Sequence, residues 1–193
     1  YYYYPAWKAF FESLGQTCEV SGKTTKAVID SGIRVTVDEA CLPVKAFHGH
    51  VLSLSATCDR VFVPRLVSVE RKAYICPKLM GLPDMVRHNC QGVRQLLDPC
   101  IDMSRSSRAY VRELYATGRL FTRNPLEISV ARRKARQAYD VFVRLLQTGL
   151  SPIDAMARGD CCVAKNFPDF GTSCNPLSGH DKDIRSPIIG VLG

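Results

Sequence analysis

Two cysteines in this 193-residue sequence stand in the same local setting, next to a proline that would open a helix. Cys41 precedes Leu42-Pro43, and Cys76 directly precedes Pro77. Proline suits the first helical turn because its missing N–H has no helical partner to lose there. A helix N-terminus favours a thiolate over a thiol through its free N–H groups and its macrodipole. The two cysteines are therefore the strongest candidates for ligand or metal binding in the sequence.

The elements expected to position these cysteines are strands that run into helices. Residues Ile33 to Val37 predict a short strand before Cys41, and the apolar run from Arg60 to Val69 predicts a strand before Cys76. Pro64 interrupts that run, which indicates a bulge or the end of the strand. Ligands of α/β proteins collect where parallel strands end and helices begin, so the pattern predicts an α/β fold with both cysteines in such positions.

Helical periodicity accounts for most of the remaining sequence. Trp7, Phe10 and Phe11 follow the spacing of a buried helical stripe, and Gly15 can end that helix. Asn124-Pro125 combines a cap residue with a proline and predicts the start of a long helix that runs to residue 149. Further helices are expected at residues 24–31, 42–55, 77–86, 104–117 and 151–159.

Two short motifs have both a functional and a structural interpretation. Ser21-Gly-Lys-Thr-Thr25 resembles half of a phosphate-binding loop, but the full motif needs a glycine where this chain has Thr17. A turn capped by Thr24 explains these residues as well. His48 and His50 lie two positions apart on an expected helix, where their side chains point apart, so structural roles are favoured over a metal pair. His48 could still lean toward the cysteine site.

Composition is that of an ordinary globular protein. The chain is 46% hydrophobic and 23% charged, and no run approaches the roughly 18 apolar residues of a membrane span. Nine cysteines without a CxxC pair fit a reducing cytoplasm better than a disulfide framework or a zinc ribbon. The sequence starts without Met and ends like a strand entering a turn, so we expect a fragment cut at both ends.

The net charge of +8 is concentrated between Arg105 and Arg144. It has three interpretations: a set of solvated helix faces, which we favour, a nucleic-acid surface, or a site for a CoA or nucleotide phosphate. The sequence lacks an RNA-binding aromatic signature and a DNA-reading motif. Nucleic acid is therefore the least favoured partner.

Several long motifs occur in the order characteristic of a known family. They are Tyr1-Tyr-Tyr-Tyr-Pro-Ala-Trp-Lys8, Asp38-Glu-Ala-Cys-Leu-Pro-Val-Lys45, Phe47-His-Gly-His50, Pro64-Arg-Leu-Val-Ser-Val69 and Tyr74-Ile-Cys-Pro-Lys-Leu-Met-Gly-Leu-Pro-Asp84. In these motifs the sequence resembles the acyl-CoA dehydratase activase-related proteins. Those proteins are relatives of the 2-hydroxyacyl-CoA (2-hydroxyglutaryl-CoA) dehydratase component of anaerobic bacteria. The resemblance runs from Tyr1 to about Ala157.

The resemblance implies a Rossmann-like α/β architecture, a parallel sheet flanked by helices that forms one lobe of a larger two-lobe protein. We expect this iron–sulfur-binding lobe, truncated at its N-terminus, over residues 1–158. Residues 159–187 are expected to form an irregular segment, and residues 188–193 look like the start of the family's next strand.

The resemblance also implies an iron–sulfur cluster of the 4Fe–4S or double-cubane kind. Cys41 and Cys76 match the family's motifs, so they are the predicted cofactor-binding residues and metal ligands. A cubane usually takes three or four cysteine ligands. A further ligand is therefore expected from Cys90 or Cys100, from a second lobe of the same chain, or from another chain, for example in a homodimer.

The implied activity is low-potential electron transfer to an acyl-CoA or another small molecule, after activation by an ATP-dependent activator protein. Such a chain would be a component of a lyase similar to the 2-hydroxyacyl-CoA dehydratases, and no catalytic residue is assigned. Asp38 and Glu39 are expected to support the site or cap the helix, and Lys45 and Lys78 to offset cluster charge or remain solvated. The alternative is a non-enzymatic regulatory or scaffold lobe that docks on an ATPase activator.

Overall fold

The structure is a computed structural model that describes residues 3–104, 107–164 and 188–191. Within these ranges the chain forms eight helices and six short strands. The helices are α1 (Tyr4–Ser13), α2 (Lys26–Val35), α3 (Leu42–Ser55), α4 (Pro77–Met80), α5 (Leu82–Asn89), α6 (Ser107–Gly118), α7 (Pro125–Gln147) and α8 (Pro152–Ala164). The strands are β1 (Thr17–Val20), β2 (Arg60–Phe62), β3 (Arg65–Ser68), β4 (Leu96–Leu97), β5 (Cys100–Asp102) and β6 (Ile188–Val191). None of the described helices is both long and apolar enough to cross a membrane.

The strands pair in parallel. Four of them form one sheet in the order β1-β6-β2-β4, and β3 and β5 form a separate pair. Parallel neighbours need long crossover connections, and most of the crossovers here are helical. The α/β class expected from the sequence is confirmed. The Rossmann-like and two-lobe architecture stays a prediction.

An aromatic cluster joins α1 to the centre of the larger sheet. The ring of Trp7 lies 4.6 Å from the ring of Phe62 in β2, and Phe11 lies 5.1 Å from the same ring. Phe10 and Phe11 are fully buried. Tilted and edge-on ring pairs at these separations add about 0.5–1.5 kcal/mol each beyond area burial. The stripe predicted on α1 is therefore confirmed as core.

Helix α7 begins where the sequence predicts. The side-chain oxygen of Asn124 accepts a hydrogen bond from the backbone N–H of Leu126 at 3.0 Å, and its amide donates to Glu127 at 3.1 Å. Small buried residues, including Ala131 and Ala135, cover the core-facing side of the helix. Their small size lets α1 and α7 approach each other closely, so α7 packs into the same core as the aromatic cluster.

The strand predicted at residues 33–37 is wrong, because α2 continues to Val35. Gly32 lies so close to α3 that a Cβ atom there would come within 1.8 Å of the carbonyl oxygen of Lys45. A Cβ atom added at Gly49 of α3 would likewise come within 1.9 Å of the carbonyl oxygen of Val28. Two glycines thus let α2 and α3 pack backbone to backbone, and this tertiary contact outweighs the β-branched residues that suggested a strand.

The strand predicted over residues 60–69 is divided into β2 and β3, which belong to different sheets. Val63 and Pro64 separate them, as the proline indicated. The backbone N–H of Val63 donates to the carbonyl of Leu97, and that of Arg65 donates to Pro99. The short strands β4 and β5 were not predicted, because two or three residues carry too little periodicity to recognise.

The region after residue 150 differs from its prediction. Helix α8 runs to Ala164, past the expected end at Gly159, so the first six residues of the predicted irregular segment are helical. The rest of that segment, residues 165–187, lies outside the described residues. The strand expected near the end is present as β6, and it inserts between β1 and β2 of the same sheet.

Candidate cysteine site

Cys41 and Cys76 occupy equivalent backbone positions. Cys41 is the N-cap of α3 with φ −66° and ψ 153°, and Cys76 is the N-cap of α4 with φ −50° and ψ 131°. Each carbonyl accepts the first hydrogen bonds of its helix, at 2.9–3.1 Å. Neither sulfur caps its helix, and both side chains are exposed. The predicted position at a helix start is confirmed for both cysteines, although a loop, not a strand, leads from α2 to Cys41.

Two lysines fasten the loop that precedes Cys41. The ammonium group of Lys45, one helical turn into α3, donates to the carbonyl of Asp38 at 2.9 Å. The ammonium group of Lys78, in the turn that begins at Cys76, donates to the carbonyl of Glu39 at 3.4 Å. The second contact joins segments that are 39 residues apart in sequence. The two cysteine-bearing turns are therefore neighbours in space, and two positive charges lie beside them.

Asp38 and Glu39 contact the neighbouring lysines through their backbone. Their backbone carbonyls, and not their carboxylates, hold the lysines. The expectation that they cap α3 is wrong, since no side chain caps that helix and its first turn contains no acid. Lys45 and Lys78, expected to offset cluster charge or remain solvated, form exposed hydrogen bonds to backbone carbonyls near the cysteines.

Helix α4 is anchored to β3 by an arginine. Arg65 donates to both carboxylate oxygens of Asp84, at 2.7 and 2.8 Å, and to the carbonyl of Met80 at 3.0 Å. The Arg65 hydrogen bonds lower the pKa of Asp84, and the same bonds raise the pKa of Arg65. A bidentate guanidinium–carboxylate pair fixes orientation as well as distance. This Arg65 clamp fixes the position of α4, because Met80 is the last residue of the helix whose N-cap is Cys76.

The connection from β3 to Cys76 is a folded turn. Lys72 adopts a left-handed conformation with φ 62°, and the N–H of Ala73 donates to the carbonyl of Glu70 at 3.2 Å. The N–H of Ile75 then donates to the carbonyl of Val67 in β3, at 3.0 Å. Cys76 therefore follows a turn that backbone hydrogen bonds hold against β3.

Other sequence candidates have structural roles. The side chain of Thr25, not Thr24, caps α2 by accepting from the N–H of Val28. Thr24 instead bonds Nε2 of His50 at 2.9 Å. His48 is fully buried, and its Nδ1 lies 2.8 Å from the carbonyl of Val44, to which it must donate. The two histidines thus contact different groups, as their helical spacing predicted.

The proposed additional ligands Cys90 and Cys100 lie in less accessible places. Cys90 is buried, and burial raises the pKa of its thiol to about 11. Cys100 lies in β5, and burial raises its pKa as well. Such thiols stay protonated at neutral pH and resemble small apolar residues of the core. Neither cysteine joins Cys41 and Cys76 in a group of three metal-binding side chains, because the described residues contain no such group.

Exposed apolar side chains flank both cysteines, a feature that the sequence analysis missed. Val37 and Leu42 on either side of Cys41 are 67% and 60% exposed, and Tyr74 near Cys76 is 66% exposed. Leu79 follows at 37%. Single exposed apolar residues are normal, but a group of them next to a functional feature marks an interaction surface. We call these four residues the apolar rim.

Comparison with known proteins identifies the family. Residues 1–164 match the family described as CoA enzyme activase uncharacterised domain (DUF2229). The chain belongs to this family. No curated protein and no solved structure matches it. The match spans both cysteine turns and every helix from α1 to α8, and it ends at the last residue of α8.

Membership of the CoA enzyme activase family confirms the resemblance drawn from the motifs. The activase-related domain therefore includes the lysine contacts, the Arg65 clamp and the apolar rim. The family description names no ligand and no reaction for this domain. The roles of Cys41 and Cys76 must accordingly be argued from their chemistry and surroundings.

Proposed function

We propose that this domain is part of an iron–sulfur protein that works with an ATP-dependent activator in a reducing cytoplasm. Cys41 and Cys76 would supply two thiolate ligands of the cluster. The observation that carries the proposal is the pair of equivalent, exposed N-cap cysteines on turns joined by Lys78 and Glu39. Membership of a CoA enzyme activase family supports an activator as partner.

The donor set fits one side of such a cluster. Thiolates are the preferred ligands of iron–sulfur clusters, and helix N-termini direct free N–H groups toward negative charge. Lys45 and Lys78 add two ammonium groups beside the same turns, where they would offset the charge of bound thiolates. A bound cluster would supply low-potential electron transfer to an acyl-CoA or another small molecule. The residues of this chain would hold it and set the charge around it.

The remaining ligands must come from elsewhere. The described residues contain no group of three or more side chains that could hold a metal, whereas a cubane usually takes three or four cysteine ligands. The buried thiol of Cys90 and the half-buried thiol of Cys100, both with a raised pKa, are poor candidates. The apolar rim flanks both cysteines in sequence and is exposed, which supports a second lobe or a second chain that covers the site and completes the ligand set.

Anaerobic reconstitution tests this proposal. The protein is incubated with iron and sulfide, desalted, and examined for iron and for the visible charge-transfer absorption of iron–sulfur clusters. We expect both signals in the parent protein and their loss in Cys41→Ser and in Cys76→Ser. Cys58→Ala is the matched control, because Cys58 is buried in another cluster of core residues. Full cluster absorption in both serine variants would reject the assignment.

A second candidate function is a non-enzymatic lobe that docks on the ATPase activator. The apolar rim is the observation that favours it, since four exposed apolar side chains close in sequence to the two cysteines suit a protein partner. This candidate predicts that activator binding is equal in the parent protein and in Cys41→Ser/Cys76→Ser, and is lost in Leu42→Glu/Tyr74→Glu. Binding that requires iron would favour the first candidate.

A further inference from the structure

A cavity of about 730 Å³ lies on the side of the domain formed by α1, α6, α7 and one face of β3 and β5. Small-molecule sites typically enclose roughly 300–1,000 Å³. The aliphatic side chains of Leu66, Val69 and Ile101 contribute to its wall. The cavity can therefore accept a molecule of nucleotide size against an apolar surface.

The cavity is separate from the cysteine site. In β3, Leu66 lines the cavity, whereas its neighbour Arg65 reaches the other way to Met80 and Asp84 beneath the Cys76 turn. Successive residues of a strand point to opposite faces of the sheet. The cavity and the support of Cys76 thus lie on opposite faces of the same strand, and an occupant of the cavity is not a ligand of the cysteines.

Three arginines of α7 give the cavity a positive wall. Arg132, Arg133 and Arg136 all line it. Arg136 pairs with Asp140, at 3.3 Å, whereas Arg132 and Arg133 form no ion pair within 4.0 Å in the part of the chain that the structure describes. Guanidinium groups bind phosphate through two parallel hydrogen bonds, and these two are available for that purpose.

Aromatic rings form another part of the wall. Tyr3 and Tyr139 stack with their ring centres 5.9 Å apart and an interplanar angle of 9°, and both line the cavity together with Trp7 and Tyr110. Burial raises the pKa of Tyr110, while Arg132 and Arg136 lower it, so its phenol lies close to the arginines. Planar rings beside guanidinium groups suit a ligand that has a flat ring at one end and phosphate at the other.

We propose that this cavity binds a nucleoside di- or triphosphate, with its phosphates on Arg132 and Arg133 and its base against the aromatic wall. The proposed site would give a binding role to Arg132 and Arg133, which belong to the basic region between Arg105 and Arg144. It does not depend on the role of the cysteines.

The single tryptophan of the chain provides a direct readout. Trp7 is the one tryptophan in the sequence, and it lines the cavity. We expect ATP and ADP to change its fluorescence saturably. Arg132→Gln/Arg133→Gln should weaken binding about tenfold or more, as expected for the loss of charged hydrogen bonds. Both arginines are exposed on α7, so the variant should retain its fold, which circular dichroism checks.

Matched ligands and variants make the outcome decisive. Arg144→Gln removes an exposed arginine of the same helix that does not line the cavity, and it should bind as the parent does. Tyr139→Leu should weaken ATP binding but not the binding of inorganic tripolyphosphate. The proposal would be overturned by no saturable signal, or by equal weakening in Arg144→Gln. It would also be overturned if tripolyphosphate or decanoate bound as tightly as ATP.

Discussion

The ammonium group of Lys78 donates a hydrogen bond to the backbone carbonyl of Glu39 across 3.4 Å. This contact links the turn that begins at Cys76 to the loop that leads into Cys41. Lys45 holds the same loop through the carbonyl of Asp38. The segments that carry two cysteines 35 positions apart in sequence are thereby joined, and both lysines place positive charge beside these segments.

Removing the Lys78 ammonium group should loosen the two cysteine turns from each other. In Lys78→Met the apolar stem remains, but the bond to Glu39 is lost. We expect a short bis-maleimide to cross-link Cys41 to Cys76 in the parent protein and to do so in clearly lower yield in the variant. Peptide mass spectrometry measures the yield. Lys26→Met, which removes an exposed lysine of α2, is the control, and equal yields in parent and Lys78→Met would contradict the linkage.

Enlarging Gly49 should destabilise the protein strongly. A Cβ atom at this position would lie 1.9 Å from the carbonyl oxygen of Val28, which is backbone and cannot move aside cheaply. We expect Gly49→Ala to reduce the free energy of unfolding by about 3 kcal/mol or more. Urea denaturation measures this change. Gly22→Ala is the control, because nothing lies within 4 Å of a Cβ atom there; similar losses in both variants would be inconsistent with tight packing of α2 on α3.

Alkylation should distinguish the site cysteines from the core cysteines. Cys41 and Cys76 are exposed, whereas burial raises the pKa of Cys18 to about 12 and that of Cys90 to about 11. The thiolate is the reactive form, so the half-buried thiol of Cys18 and the buried thiol of Cys90 should react very slowly at pH 8. We expect iodoacetamide to label Cys41 and Cys76 first, with labelling followed peptide by peptide. Denaturant should make the rates similar; early labelling of Cys18 in the native protein would contradict the burial.

The same raised pKa values predict that stability falls in alkali. Above the ordinary thiol pKa of 9.0, the unfolded chain loses protons that folded Cys18 and Cys90 retain up to about 12 and 11. The unfolded state then binds fewer protons, so the free energy of unfolding decreases as pH rises, by up to about 1.4 kcal/mol per pH unit for each thiol. Urea midpoints between pH 8.5 and 10.5 measure the slope. The decrease of the urea midpoint with pH should be shallower in Cys18→Ala/Cys90→Ala. An unchanged slope would contradict the assignment of this decrease to the two thiols.

Local signals allowed the starts of several helices to be predicted from the sequence. Proline after Cys41, Cys76 and Asn124 specifies a first helical turn by its fixed φ angle and its missing donor, wherever the segment lies in the fold. The aromatic spacing of α1 is similarly local and identified core residues correctly. The positions of both cysteines at a helix N-terminus could therefore be predicted from the sequence alone.

Features that depend on distant contacts could not be predicted in the same way. Residues 33–35 are helical because Gly32 allows α2 to pack on α3, and no local preference reveals that contact. The Lys78–Glu39 bond joins segments separated by 39 positions. The apolar rim was missed because its members are scattered in sequence and each alone has the character of a core residue.

Cys41 and Cys76 are proposed to hold iron together. The most direct measurement is the iron-to-protein ratio of the protein purified anaerobically, compared among the parent, Cys41→Ser, Cys76→Ser and Cys58→Ala. We expect iron in the parent and in Cys58→Ala, and loss of most of it in each serine variant, since either substitution removes one of the two proposed ligands. Equal iron in all four proteins would contradict the assignment of these two cysteines.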